Sequence, residues 1–546
     1  MKMMDESNGT PIPEQPAPQP GAWPPPKAVL PGGRRERIFA ILLLILSLCI
    51  GNTGTYMGLG FGLPFVLMGA LTLWYVWKKE TVTAYGLSCT LLSMVLAAAS
   101  ARTADMVTLI LAFPLILFGY FLGLTAMTGA NARPLGRFSS VLDVCYAAFD
   151  RTFTQVFPAL RGLLPKKSGG RKGSGAIWGV LIAVPVLFVV VPLLMSADAA
   201  FEGLLSRITI RFPKNSELVT SLILGLIISV LAYAQALSLR ACPGRTKTQS
   251  RRGRVSPAAA NGFLGVISLV YLLYLVSQAA YFFSAFRGIL PQGFTSADYA
   301  RRGFFEMAWI VALNLVMVGV VTALVRREPS QKVPLATRLL SLFFCLFSLI
   351  LIATVFSKMA LYMSSFGLTR LRVLTSLFML WLALWVLAAA VCLFRPQFPH
   401  MKAAVIAALV LACLACWWDL DSAVARYNVR AYETGKLQTV DLYTLQALSD
   451  SAIPYIGELT EDQDPNIAGQ AQDILLDWAY GHAMTGTDDA DGDFLFEPMD
   501  WRSWNLATAQ ATPSIPKCST NTNHILKIIF NTLLETCINT EARTLV

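Results

Sequence analysis

Eleven apolar runs divide the chain between Ile38 and Trp418, at 38–51, 57–77, 83–100, 105–126, 176–195, 218–239, 259–284, 303–325, 336–358, 373–394 and 402–418. A helix needs about 20 residues to cross the hydrocarbon core of a bilayer. All runs but the first have that length or nearly so; the first, with fourteen residues, is extended by its flanks, tilted or only a partial span. Lipid offers no partner to a backbone N–H or C=O, so serial runs of this kind form helices that satisfy their own backbone. Pro64, Pro114 and Pro185 fall inside three of the runs and predict kinks covered by neighbouring helices. With 55% hydrophobic residues and only 14% charged residues among 546, the chain has too few charges to cover a soluble protein. The expected fold class is all-α, a polytopic transmembrane helix bundle of about eleven spans with a small, mostly helical extramembrane C-terminal region.

The formal charge of +11 does not point to nucleic acid, because the basic residues sit in short runs between apolar segments. There they set topology and meet anionic headgroups. In alternate connections, 34–37, 78–80, 127–175, 240–258, 326–338 and 395–402 hold 25 Lys and Arg, whereas 101–104, 196–217, 285–302 and 358–372 hold 10. The positive-inside bias places the N-terminus in the cytoplasm and, with eleven spans, the C-terminal region outside. Between Asp419 and Gln510 there are 17 acidic and four basic residues, so this region lacks the positive bias of a cytoplasmic one.

Residues 1–33 are rich in Pro and Gly and read as a disordered cytoplasmic tail. No cleavable signal peptide fits the first apolar run. The bundle occupies 34–418. Within it, 138–163 spaces Phe138, Val141, Cys145, Phe149, Phe153 and Val156 as on an amphipathic helix along the membrane or against the bundle. The basic segment 244–254 is a topology anchor or a lipid contact on a mobile linker. An acidic, partly helical extracytoplasmic region covers 419–514; there Leu442, Leu445 and Leu448 predict a short amphipathic helix before Pro454. Residues 515–546 change composition to Asn and Thr and form an atypical tail.

The polar residues that enter the apolar runs are the candidate site. The span near 299–324 is entered through a tight group of opposite charges, Arg301, Arg302 and Glu306. On a helix Arg302 and Glu306 lie one turn apart, and Asn314 follows two turns later on roughly the same face. Such a stripe faces protein or a water-filled cavity, or else is a buried pair holding two helices together or a snorkelling interfacial arginine. Arg370 and Arg372 open another span on the same side; with the nearby helix start they suit an anionic headgroup, or pair with the acidic C-terminal region. Asp421, Arg426 and Asn428 continue just beyond the interfacial Trp417 and Trp418.

Several signatures are missing from the sequence. It holds no GxxxxGK[ST] phosphate loop and no HExxH, and its three histidines are far apart. Cys413 and Cys416 form a CxxC inside an apolar run and read as small buried hydrophobes. DDADGD at 488–493 starts like a calcium loop, but its twelfth position is Met499 rather than a glutamate, so it reads as a solvated acidic loop. Neither a metal nor a cofactor is expected.

The segments YARRGFFEMAWIVALN at 299–314, FGLTRLRVLTS at 366–376, DLDSAVARYNVRA at 419–431, DLYTLQALSDSAIP at 441–454 and WRSWNL at 501–506 together resemble the DUF4173 family, formerly grouped with DUF4153, of bacterial multispanning membrane proteins. The resemblance covers about residues 35–506 and ends near Pro516. It implies a multi-pass bacterial plasma-membrane protein and groups Arg301, Arg302, Glu306, Arg370, Arg372, Arg426 and Asn428 as recurrent features. It implies no catalytic residue or substrate.

Two functional classes fit these residues equally: a permease or lipid-handling protein, and a membrane signalling or scaffolding component with a membrane protein partner. A membrane enzyme using Glu306 as proton acceptor is less favoured, since no nucleophile or complete metal set accompanies that residue. Membrane lipids are the expected partners.

Overall fold

The computed structural model describes residues 33–53, 58–77, 82–130, 144–145, 148–163, 216–240, 255–286, 304–327, 332–488, 494–496 and 505–511. The bundle helices are α1 (Arg34–Thr53), α2 (Leu59–Val76), α3 (Ala84–Ala98), α4 (Met106–Thr128), α5 (Asp150–Leu163), α6 (Ser216–Arg240), α7 (Pro257–Phe286), α8 (Phe304–Leu324), α9 (Leu335–Phe366), α10 (Arg370–Phe394) and α11 (His400–Trp417). Among the described residues nine helices, α2–α4 and α6–α11, are long and apolar enough to cross a membrane. The chain is thus a polytopic helical membrane protein. The run at 38–51 lies on α1, whose first turn carries Arg34, Arg35, Glu36 and Arg37. The run at 176–195, the Pro-rich tail and residues 515–546 fall outside the described residues.

The helices form two packed groups. In the first, α1–α4 and α6 surround Phe39, Leu43, Phe65, Tyr75, Tyr120 and Leu124, and α5 lies against α6. Ala159 on α5 is buried, whereas Phe149 just before the helix and Phe153 and Phe157 on it, spaced four apart, are exposed. A late helix completes this group: α11 inserts Cys413 and Cys416 into the same core and packs on α3 and α4. The second group, α7–α10, closes around Leu264, Val311, Phe344, Phe347, Leu351 and Leu382. The α10–α11 hairpin joins the two groups, and the Trp381 indole N–H donates to Ala404 O at 2.9 Å across it.

Close approach of α3 and α4 depends on glycine. A Cβ at Gly123 would lie 2.7 Å from both Gly86 O and Thr90 N, which is backbone that no rotamer change can move. In lipid, where apolar contact with the solvent is no worse than with protein, such small-residue contacts are a main source of helix association. Polar ties add to it in the second group. Asn314 on α8 is buried, accepts from Tyr271 OH on α7 at 2.8 Å and donates to Ser348 Oγ on α9 at 3.0 Å. The outer faces carry large apolar side chains; Leu273 is 69% and Trp309 75% exposed, a pattern suited to hydrocarbon.

Beyond α11, the chain folds into a cap made of α12 (Leu420–Glu433), α13 (Leu442–Gln446), α14 (Ile453–Glu458), α15 (Pro465–His482) and α16 (Leu506–Ala511). Its core gathers Val429, Leu442, Leu445, Ile456, Leu475 and Ala511. The helix expected around Leu442–Leu448 is shorter than its leucine spacing suggests: Asp441 caps α13 through Thr444 N at 3.0 Å, and a 3-10 turn at Asp450–Ala452 follows. The cap also holds one short antiparallel strand pair, Ala483–Asp488 with Phe494–Phe496. A fold dominated by helices remains.

Candidate functional site at the junction of bundle and cap

Three turns meet where the cap sits on the bundle: Arg102–Asp105 before α4, Gly367–Thr369 before α10, and Trp418–Asp419 before α12. Local sequence explains each. Asp105 caps α4 by accepting Thr108 N at 3.1 Å, and the Thr108 hydroxyl also donates to it. Thr369 caps α10 through Arg372 N. Gly367 adopts a φ of +72°, and a Cβ there would meet Asn428 Oδ1 at 2.5 Å, so glycine is required both by backbone and by space. Asn428 uses the gap fully: its Oδ1 accepts Leu368 N at 2.7 Å and its Nδ2 donates to Leu368 O at 2.8 Å.

Arg370 is the centre of the junction. Its Nε donates to Asp421 Oδ1 at 2.8 Å and its terminal nitrogen to Asp421 Oδ2 at 2.5 Å, a two-point fork on a carboxylate with no exposed surface. The same guanidinium lies 3.4 Å from Asp105 Oδ1, so one arginine ties α10 to both the α4 start and the cap. Ser449 N donates to Asp421 Oδ2 at 2.8 Å. Asp419 joins the group through the Thr103 hydroxyl at 3.4 Å and takes a left-handed φ of 58°, unusual for a residue other than glycine. Asp105 and Asp419 are 1% and 6% exposed. Burial, followed by the Asp421 carboxylate, pushes Asp105 above the usual carboxylate range against its Thr108 bonds. Burial likewise raises Asp419, with the Ser451 hydroxyl and Arg102 opposing.

Beside these acids lies a cleft of about 750 Å³, whose wall includes Arg102, Arg426, Arg430 and Lys436 with Trp418, Tyr427 and Tyr455. Arg426 and Arg430 are one turn apart on the exposed face of α12. Among the described residues no carboxylate lies within ion-pair distance of Arg426, Arg430 or Lys436. The cleft therefore offers several cations and aromatic faces to an anion at the end of the spanning helices, with Trp418 73% exposed at its rim.

The sequence-derived candidates separate into groups. Arg370, Arg372, Asp421, Arg426 and Asn428 come together here. Arg372 is occupied locally: it donates to Phe366 O at 3.0 Å and Gly367 O at 2.5 Å, and stacks over Tyr362 at 4.0 Å. Arg370 has the intramolecular acidic partner that was one of its two expected fates. The expected stripe from Glu306 to Asn314 is corrected: Glu306 is exposed and Asn314 buried, because eight residues turn a helix about 80° past two full turns. Arg301 and Arg302 lie outside the described residues. Sequence reading missed Arg102, Asp105, Arg430 and Lys436. The Asp105-x-x-Thr108 spacing marks a helix cap, but nothing in it reveals a partner more than 250 positions away.

Among known proteins, the family model described as "Domain of unknown function (DUF4153)" matches residues 63–459. That match runs from within α2 through α14 and includes all three turns of the junction. No curated protein and no solved structure matches the chain.

Proposed function

The chain belongs to the DUF4153 family, and from that premise we propose that it is a lipid-handling protein of the bacterial cytoplasmic membrane that holds an anionic headgroup in the cleft under its cap. The N-terminus lies in the cytoplasm and the cap outside, in keeping with the excess of Lys and Arg in the opposite connections. One observation carries this reading: Arg426, Arg430 and Lys436 face a cleft at the membrane boundary with no carboxylate among the described residues to neutralise them. Trp418 and Tyr427 on the same wall suit the glycerol and upper acyl region of a lipid whose phosphate meets the arginines.

The test uses the full chain in nanodiscs of phosphatidylcholine doped with phosphatidylglycerol carrying brominated acyl chains, reading quenching of tryptophan fluorescence. Each basic residue near an anionic surface contributes about 1 kcal/mol, so the pair Arg426→Ala and Arg430→Ala should weaken lipid association by roughly 30-fold. Equal quenching in wild type and double variant would refute the site. Soluble glycerol phosphate that displaces the lipid at comparable concentration would instead identify a soluble anion as ligand.

A further inference from the structure

The junction beside the cleft buries more negative charge than it neutralises. Asp105, Asp419 and Asp421 are 1%, 6% and 0% exposed, and Arg370 is the one cation in ion-pair contact with any of them among the described residues. Full ionisation would leave about two uncompensated charges out of water, a state that buried groups avoid by taking up protons. The surroundings on every side fit that outcome. The α3–α4 turn contributes Arg102, which is near enough to favour ionised Asp419 but not in ion-pair contact with it. Arg372 on α10 is turned to the carbonyls of Phe366 and Gly367. Asp450 of the cap is engaged away from the group by the Trp478 indole and the Thr508 hydroxyl. From α11 the nearest titratable group is the Cys416 thiol.

These groups belong to three different parts of the fold. Asp105 opens α4 in the first helix group, Arg370 opens α10 in the second, and Asp419 and Asp421 begin the cap. The link from α11 to α12 is only Trp418 and Asp419, with Asp419 in its left-handed conformation, so a change here acts directly on the angle of α12. We propose that the quartet is a proton-controlled clasp between cap and bundle: it is closed while Asp105 and Asp419 hold protons and Asp421 pairs with Arg370, and it loosens as those protons leave. Because both raised groups are carboxyls, their contribution is present in acid and is lost as pH rises through their folded values. The clasp stands independently of what occupies the cleft, although α12 also carries Arg426 and Arg430.

Hydrogen exchange on the full chain in nanodiscs tests it, read at peptides covering 367–370 and 418–424 and corrected for intrinsic rates. Wild type should be more protected near pH 4 than near pH 8, with protection falling by up to about tenfold per pH unit for each proton released in between. Asp105→Asn with Asp419→Asn mimics the protonated clasp and should keep high protection at both, with the pH response reduced below about twofold. Glu433→Gln, at an exposed position on the same helix, should retain the full wild-type response. Equal wild-type protection at both pH values overturns the proposal, as does an undiminished response in the double variant. If the double variant does not fold, Asp105→Asn alone decides: it must reduce the response, and an unchanged one is equally fatal.

Discussion

Replacing Arg370 with methionine removes the guanidinium while keeping an unbranched apolar stem. Asp421, which has no exposed surface, then retains the Ser449 N–H as its remaining hydrogen bond among those described, and Asp105 retains Thr108. A carboxylate stranded in this way must be neutralised by a proton. For a carboxyl of ordinary acidity, protonation costs about 4 kcal/mol at pH 7 and about 1.5 kcal/mol at pH 5, at 1.36 kcal/mol per pH unit. The first figure lies within the roughly 3–5 kcal/mol observed when one partner of a buried pair is removed. Counting Asp421 alone, Arg370→Met should destabilise the protein by about 4 kcal/mol at pH 7, with about 2.5 kcal/mol of that recovered at pH 5. The double variant Arg370→Met with Asp421→Leu removes both charges and should recover most of the loss at pH 7. Unfolding by SDS in mixed micelles, followed by tryptophan fluorescence at both pH values, measures the differences. A defect of the same size at pH 5 and pH 7, or one below about 1 kcal/mol at pH 7, would refute the assignment of Arg370 as counter-ion to a buried carboxylate.

Two further substitutions test the framework around the junction. Asn428→Ala removes both bonds to Leu368 and leaves that turn's N–H and C=O without their partner, so a loss of about 1–3 kcal/mol is expected, with faster exchange of the Leu368 amide. Gly123→Val places side-chain atoms against the backbone of Gly86 and Thr90 and should separate α3 from α4, costing about 1–3 kcal/mol in the same unfolding assay; unchanged stability would show that the two helices are not in close contact.

The helical, membrane-spanning character of this protein was legible from the sequence, because hydrocarbon imposes its demands locally. A run such as 336–358 must satisfy its own backbone wherever its neighbours lie, and nine of the expected runs indeed form helices long enough to span. Arg370, Asp421, Arg426 and Asn428 stood out in the sequence too, since charge and amide groups at the edge of lipid are costly enough to need a reason. Their partners were not. The cap signal at Asp105 is complete within four residues, and nothing local tells that its carboxylate also meets Arg370. On α8 the polar spacing placed Glu306 and Asn314 together, but the 3.6-residue repeat and the packing of α7 and α9 send one outward and the other into Tyr271 and Ser348. Only tertiary structure returned α11 to the first helix group, brought three distant turns to one end of the bundle and left a basic cleft beside three buried aspartates. The physical reason is range: lipid constrains each segment alone, whereas ion pairs and clefts depend on which segments the closed bundle makes neighbours.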